Sequence, residues 1–274
     1  MKTDYLYNNL ILDASLQLSP SSPLLQAGCG LFETVLYRQG RLWFWEEHLN
    51  RLQNSLTVFH AEVKIGLLDR QRVESWLAGQ GWTGDCRVKL TAFPSTETGW
   101  DWLLSCREYQ RPSGDFTLQI LSETADYPLL KHKTLNYWPN LISLNERPAN
   151  VETARLNSRH NINEGCRTNL LLIKDNVLYY VDQDNNYLPG IIQQKILDNY
   201  RETGLKSIQS SAWGFSPFDL EQADQIILTN SLLLTAGVSF VRRSGVSFSK
   251  KIDYSLQERL HICLDRQVQT NPLF

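Results

Sequence analysis

Apolar residues recur with two different periods that take turns along this chain, and that alternation constrains its fold more than any other feature. Phe116, Leu118 and Ile120 alternate with Thr117 and Gln119, the two-residue period of a strand with one buried face. Over Glu46–Phe59, by contrast, Leu49, Leu52, Leu56 and Phe59 fall at spacings of three, four and three, a helical stripe. Strand pairs are expected at Thr34–Tyr37 with Leu42–Trp45 around Gly40-Arg41, and at Cys86–Phe93 with Trp100–Tyr109 around the polar turn Pro94–Gly99. A third pair, Asn169–Lys174 with Val177–Val181, turns at Asp175-Asn176, and Gln225–Thr229 and Val238–Val241 read as further strands. Helices are expected over Leu67–Leu77, ending at Gly79–Gly81, and over Tyr137–Glu146, with Pro139 in the first turn. Two more follow at Ile191–Tyr200, stopping near Gly204, and at Asp253–Val268. Strands and helices interleaved in this way predict an α/β (α+β) protein.

The alternation lapses once, over Ser122–Pro128, whose Ser-Glu-Thr-Ala-Asp-Tyr-Pro composition suits an exposed connection. With 274 residues, room exists for about two domains. The expectation is a smaller N-terminal α/β domain over 1–121, a linker over 122–130 and a larger C-terminal domain over 131–274.

Twenty-seven Lys and Arg against 29 Asp and Glu give a net charge of −2, without the positive excess that binds a nucleic-acid backbone. No run approaches the roughly 20 apolar residues of a membrane helix; the greasiest stretch, Leu232–Val241, is broken by Thr235, Gly237 and Ser239. Met1–Leu16 does not read as a secretory signal. Five scattered cysteines form no Cys-x-x-Cys pair, and His48, His60, His132, His160 and His261 lack metal-ligand spacing, so no metal is expected. The chain reads as a soluble cytoplasmic protein acting on a small molecule, without nucleic-acid or membrane partners.

Several catalytic signatures are missing. There is no Gly-x-Ser-x-Gly elbow and no Walker loop, and Gly28-Cys29-Gly30 lacks the third glycine of a dinucleotide fingerprint. Two features are suggestive. Leu188-Pro189-Gly190-Ile191-Ile192 puts Pro and Gly where a helix begins, which leaves backbone N–H groups able to hold a phosphate, or simply marks a Pro-initiated helix. Thr229-Asn230-Ser231 places small polar side chains at a strand end, as in a ligand cleft or at any strand exit.

Taken together, six segments resemble the class IV aminotransferases, the fold type IV pyridoxal 5'-phosphate (PLP) enzymes related in fold to D-amino acid aminotransferase. They are Gly28-Cys29-Gly30-Leu31-Phe32-Glu33-Thr34, His48-Leu49-Asn50-Arg51-Leu52, Lys133-Thr134-Leu135-Asn136-Tyr137, Glu164-Gly165-Cys166-Arg167-Thr168-Asn169-Leu170, Leu188-Pro189-Gly190-Ile191 and Thr229-Asn230-Ser231-Leu232. They occur in the family's order over most of the chain. The resemblance implies a two-domain fold with PLP as cofactor, bound mainly by the C-terminal domain, and a homodimer.

It also implies roles. Lys133 matches the lysine that condenses with the PLP aldehyde and moves protons, a task suited to a desolvated amine; Lys131 is its neighbour and rival. Glu164 matches the carboxylate that keeps the pyridine nitrogen protonated. Arg51 matches the phosphate-binding arginine, although on the helical wheel it lies off the Leu49/Leu52/Leu56 stripe, where a solvent residue is the alternative. The backbone N–H groups of Ile191 and Ile192 and the Ser231 hydroxyl would hold the phosphate, and Tyr137 the ring oxygen or merely a helix start. Thr34 sits where lyase members place a threonine near the reacting centre, or is an ordinary strand threonine.

Among the family's activities, Phe32-Glu33-Thr34 and the direct Lys133-to-Tyr137 run look most like aminodeoxychorismate lyase, the enzyme of folate biosynthesis that makes 4-aminobenzoate and pyruvate. The alternatives are a branched-chain or D-amino acid aminotransferase and a non-catalytic PLP-binding member. The sequence departs from the family at Cys29, usually aspartate, at Ile192 and Gln193, usually threonine and arginine, and at His160, where a turn glycine is expected. The arginine-bearing Gly-rich loop of lyases is replaced by Pro94-Ser95-Thr96-Glu97-Thr98-Gly99, which leaves Arg87 and Arg107 as candidates for the substrate carboxylates.

Overall fold

The computed structural model of the chain describes residues 3–8, 10–12, 18–61, 63, 68–96, 99–125 and 128–270. Its elements run β1 (Thr3–Tyr7), β2 (Leu10–Leu12), α1 (Pro23–Ala27), β3 (Leu31–Arg38), β4 (Arg41–Leu42), α2 (Trp45–Val58), α3 (Arg70–Gly79), β5 (Cys86–Thr96), β6 (Gly99–Glu108), β7 (Phe116–Thr124), α4 (Trp138–Leu144), β8 (Val151–Leu156), β9 (Asn169–Lys174), β10 (Val177–Val181), α5 (Ile191–Asp198), β11 (Ser207–Ser211), α6 (Pro217–Gln222), β12 (Gln225–Asn230), β13 (Leu234–Arg243), β14 (Val246–Ser249) and α7 (Tyr254–Thr270). The chain forms two compact units. Among the described residues, the first holds those up to Arg111 together with His132–Tyr137; the second holds Pro112–Lys131 and residues 138–270.

The first unit is built on an antiparallel sheet in the order β2-β1-β6-β5-β3-β4. One face carries Leu31, Val35, Tyr37, Val88, Leu90 and Leu104, which pack with Trp45, Leu52 and Leu56 of α2 and Val73 and Leu77 of α3. Because strand side chains alternate between faces, Phe32, Thr34, Arg87, Lys89 and Arg107 belong to the opposite face. Leu42–Trp45 is not the four-residue strand expected. Phe44 takes a left-handed backbone (φ 55°) that ends β4 after two residues. Trp45 then opens α2 and donates its indole N–H to the Leu68 carbonyl at 3.1 Å.

The second unit holds the sheet β11-β10-β9-β12-β13-β7-β8, with β14 added to β13; β10–β11, β13–β7 and β7–β8 are parallel pairs. The expected division at 121/122–130 is displaced. β7 pairs with β8 and β13, so Phe116–Thr124 belongs to the second unit and the chain leaves the first at Arg111. Thr117 through Ile120 find parallel partners in Val151–Ala154, a strand whose polar Glu152 and Thr153 hide its period in the sequence. The linker residues Asp126-Tyr127, the turn tip Glu97-Thr98 and Leu67 lie outside the described residues. β9 and β10 have the limits expected of them, and the Ile191 helix closes at Asp198, followed by a 3-10 turn over Tyr200–Thr203. No helix among the described residues is long and apolar enough to cross a membrane.

Candidate active site

The residues singled out in the sequence fall into two groups, one in each unit. Thr34, Arg51, Arg87, Arg107, Lys133 and Tyr137 belong to the first unit; Glu164, Ile191, Ile192 and Ser231 belong to the second.

In the first unit, His132–Tyr137 lies along the edge of β3. Phe32 N–H donates to the Lys133 carbonyl at 2.8 Å, Leu135 N–H donates to the Gly30 carbonyl at 2.9 Å, and Leu31 bridges Thr134. Gly30 is required by this approach. Its φ is 150°, and a Cβ there would sit 2.9 Å from the Ala92 carbonyl oxygen and 2.5 Å from Leu135. Lys133 is half-buried, with Nζ 4.7 Å from the Phe32 ring centroid and 5.9 Å from that of Tyr137. Tyr137 meets Phe32 edge to face at 5.6 Å. Thr34 is half-buried in the otherwise closed run Leu31–Tyr37.

Arg51 does not point to solvent. Its Nε and Nη2 donate to the two oxygens of Glu33 at 2.8 and 2.7 Å, and its side chain is 14% exposed. His48 Nδ1 lies 2.7 Å from Glu33 Oε2. Burial alone would raise the Glu33 pKa, but Arg51 and His48 outweigh it and hold the carboxyl well below the usual carboxylate range. Burial holds His48 below its ordinary value despite Glu33, so the ring is neutral at pH 7 and its Nδ1–H is the donor. Sequence reading did not assign Glu33 or the function of His48. The signal was present: Glu33 is in phase with Leu31, Val35 and Tyr37, and a charge on an apolar face needs a partner.

On the other face of the same sheet, Arg87 stands directly opposite Arg107, and Lys89 follows two residues on, opposite Thr34. Lys89 Nζ is 4.5 Å from the Phe32 centroid. Lys89 was not singled out in the sequence, although its spacing from Arg87 put both on one face.

In the second unit, Glu164 bridges Asn169 and accepts the Leu188 N–H at 3.2 Å, while Asn169 Nδ2 donates to the Leu188 carbonyl at 2.8 Å. These contacts fix the chain entering α5, whose N-cap Gly190 supplies no side-chain bond to the first turn. A Cβ at Gly190 would fall 1.8 Å from Asn169 Oδ1, so any larger residue must displace that carboxamide. Ile192 and Gln193, where the family has threonine and arginine, are both buried in the first turn of α5. Ser231 begins the turn after β12, which Asn230 Oδ1 braces by accepting the N–H groups of Leu232 and Leu233 at 2.9 and 2.7 Å. His160 stands in the left-handed region (φ 59°), the conformation for which a glycine was expected. Among the described residues no cluster of His, Cys, Asp or Glu could hold a metal ion.

Residues 30–241 match the model of the class IV amino-transferase family. The D-alanine aminotransferase of Listeria innocua is 24% identical over 255 residues, covering 82% of this chain and 83% of that protein. Among solved structures, the branched-chain aminotransferase of Thermoproteus uzoniensis superposes with a TM-score of 0.82 at 13% identity, covering 97% of this chain and 96% of its own. A Legionella pneumophila protein, provisionally described as a 4-amino-4-deoxychorismate lyase, gives a TM-score of 0.80 at 19% identity over 93% of this chain and 96% of its own. The chain thus belongs to the class IV aminotransferase family and is an enzyme of the PLP-dependent kind.

Proposed function

We propose that this enzyme is a 4-amino-4-deoxychorismate lyase, releasing 4-aminobenzoate and pyruvate. The observation that carries the reading is the placement of Thr34. It is half-buried within the otherwise closed run Leu31–Tyr37, two residues along from Phe32, whose ring lies 4.7 Å from Lys133 Nζ. A hydroxyl on that strand face suits a reaction in which a proton leaves a ring carbon and a carbon–oxygen bond breaks.

Each unit by itself presents groups whose chemistry suits a part of PLP. The first turn of α5 offers the N–H groups of Ile191 and Ile192 without a competing cap, and Ser231 adds a hydroxyl. Arg51, its guanidinium plane fixed by Glu33, would supply charge to the phosphate. Glu164 would hold the pyridine nitrogen protonated, Tyr137 the ring oxygen, and Lys133 the aldehyde carbon. When bound, PLP supplies an electron sink for the carbanion. Lys133 Nζ takes the proton from the ring carbon bearing the substrate amine, the bond to the enolpyruvyl oxygen breaks, and that group gains a proton as pyruvate. No oxidant is consumed, and the aromatic ring that forms drives the step.

The test is product analysis of PLP-loaded protein given 4-amino-4-deoxychorismate. Equal amounts of 4-aminobenzoate and pyruvate, lost in Lys133→Ala, support the lyase. A second reading, D-amino acid aminotransferase, is favoured by the Listeria relative. No aromatic product, together with a cofactor absorbance change on adding D-alanine, would replace the lyase with it.

A further inference from the structure

Three cations share one face of the first unit's sheet, and none of them is paired with a carboxylate among the described residues. Arg87 on β5 and Arg107 on β6 are directly opposed, an arrangement that destabilises a sheet, and Lys89 continues the row. Among the described residues none of the three forms an ion pair. Asp101, on the same face of β6, is six residues from Arg107 and is held by Tyr7 and Asn8. Arg87 Nε is buried with no hydrogen-bond partner. Burial and neighbouring charge lower the pKa of both Arg87 and Lys89. A fold that keeps such a row must gain something from it elsewhere.

The row leads to the reactive amine. Lys89 Nζ and Lys133 Nζ lie 4.5 and 4.7 Å from the same Phe32 centroid, so the two nitrogens are separated by at most the sum of those distances. One carboxylate would satisfy one or two of these cations; three suit a ligand with two.

We propose that Arg87, Lys89 and Arg107 form the binding site for a substrate bearing two carboxylates, with Lys89 as the residue that selects for the second. The inference rests on the proposed role of Lys133 but not on elimination as the reaction. An amine or oxo acid with two carboxylates would use the same row in transamination.

Calorimetric titration of the PLP-loaded protein with isophthalate, which has two carboxylates on one ring, and with benzoate, which has one, tests it. Isophthalate should bind about tenfold or more tightly than benzoate, and Lys89→Met should erase most of that preference. Lys89→Met keeps the stem length and removes the charge, so without ligand its melting temperature should equal or exceed that of the wild type. Isophthalate should raise the melting temperature of the wild type but not of the variant. Equal binding of the two probes, or a preference untouched by Lys89→Met and Arg107→Ala, would overturn the site. A preference for isophthalate in a protein that releases no 4-aminobenzoate would retain the site and remove the lyase.

Discussion

The guanidinium of Arg51 and the carboxylate of Glu33 meet edge to edge, Nε on one oxygen at 2.8 Å and Nη2 on the other at 2.7 Å, with Glu33 only 1% exposed. The strand thus aims a side chain of the helix. Glu33→Gln should cost about 3 kcal/mol of stability, because a buried cation loses its counter-charge. It should also weaken PLP binding by releasing the arginine. Urea unfolding and a PLP titration would check both parts.

The same cluster sets an acid limb. His48 is held below its unfolded value of 6.5, so under that pH the unfolded chain takes up a proton that the folded chain refuses. Glu33 is depressed below its unfolded 4.5, and its contribution, complete above that pH, is lost on further acidification. The melting temperature should therefore decline from pH 6.5 downward and fall more steeply under 4.5. In Glu33→Gln the steeper portion should flatten.

Gly190→Ala would push a methyl group into the carboxamide of Asn169. The expected loss is about 1–3 kcal/mol, with weaker cofactor retention because the first turn of α5 shifts. Adding Asn169→Ala removes the obstacle, so the pair should be non-additive by about 1 kcal/mol in a denaturation cycle.

His160→Gly should raise stability by about 0.5–1 kcal/mol, since the exposed ring makes the turn pay for a left-handed backbone that glycine adopts freely. Thermal unfolding would read it. Activity on any family substrate should be unaffected.

Glu164→Gln keeps an acceptor for the Leu188 N–H. The protein should fold and bind PLP, while turnover falls by about a hundredfold through loss of the charge beside the ring nitrogen. Single-turnover kinetics on the loaded enzyme would separate this from a binding defect.

Much of this was legible in the sequence. The periods of β9, β10 and β7 and the stripe of α2 follow from side chains that each bury one face. β8 and β11 were hidden because Glu152, Thr153 and the serines of Ser207–Ser211 interrupt any apolar rhythm; their place comes from parallel partners distant in sequence. The same holds for the site. Motif order pointed to Lys133, Glu164 and Arg51, but helical periodicity assigned Arg51 to solvent because a helix wheel carries no record of Glu33 on a neighbouring strand. Lys89 was overlooked for a related reason: single-residue inspection treats a lysine as solvated unless the opposing strand is in view.

The return of His132–Tyr137 to the edge of β3 has a consequence for how such an enzyme can be taken apart. A fragment ending at Arg111 would contain Phe32, Gly30 and the cationic row but not Lys133, whose backbone Phe32 binds. The complementary fragment would carry Lys133 with no strand to lie against. Exchanging halves between relatives at that joint would therefore graft each donor's nucleophile onto a foreign bed. A crossover beyond Tyr137 keeps the nucleophile on its own bed but seats a foreign β7 between β13 and β8, so inheritance of chemistry here follows hydrogen-bonded neighbours rather than covalent order.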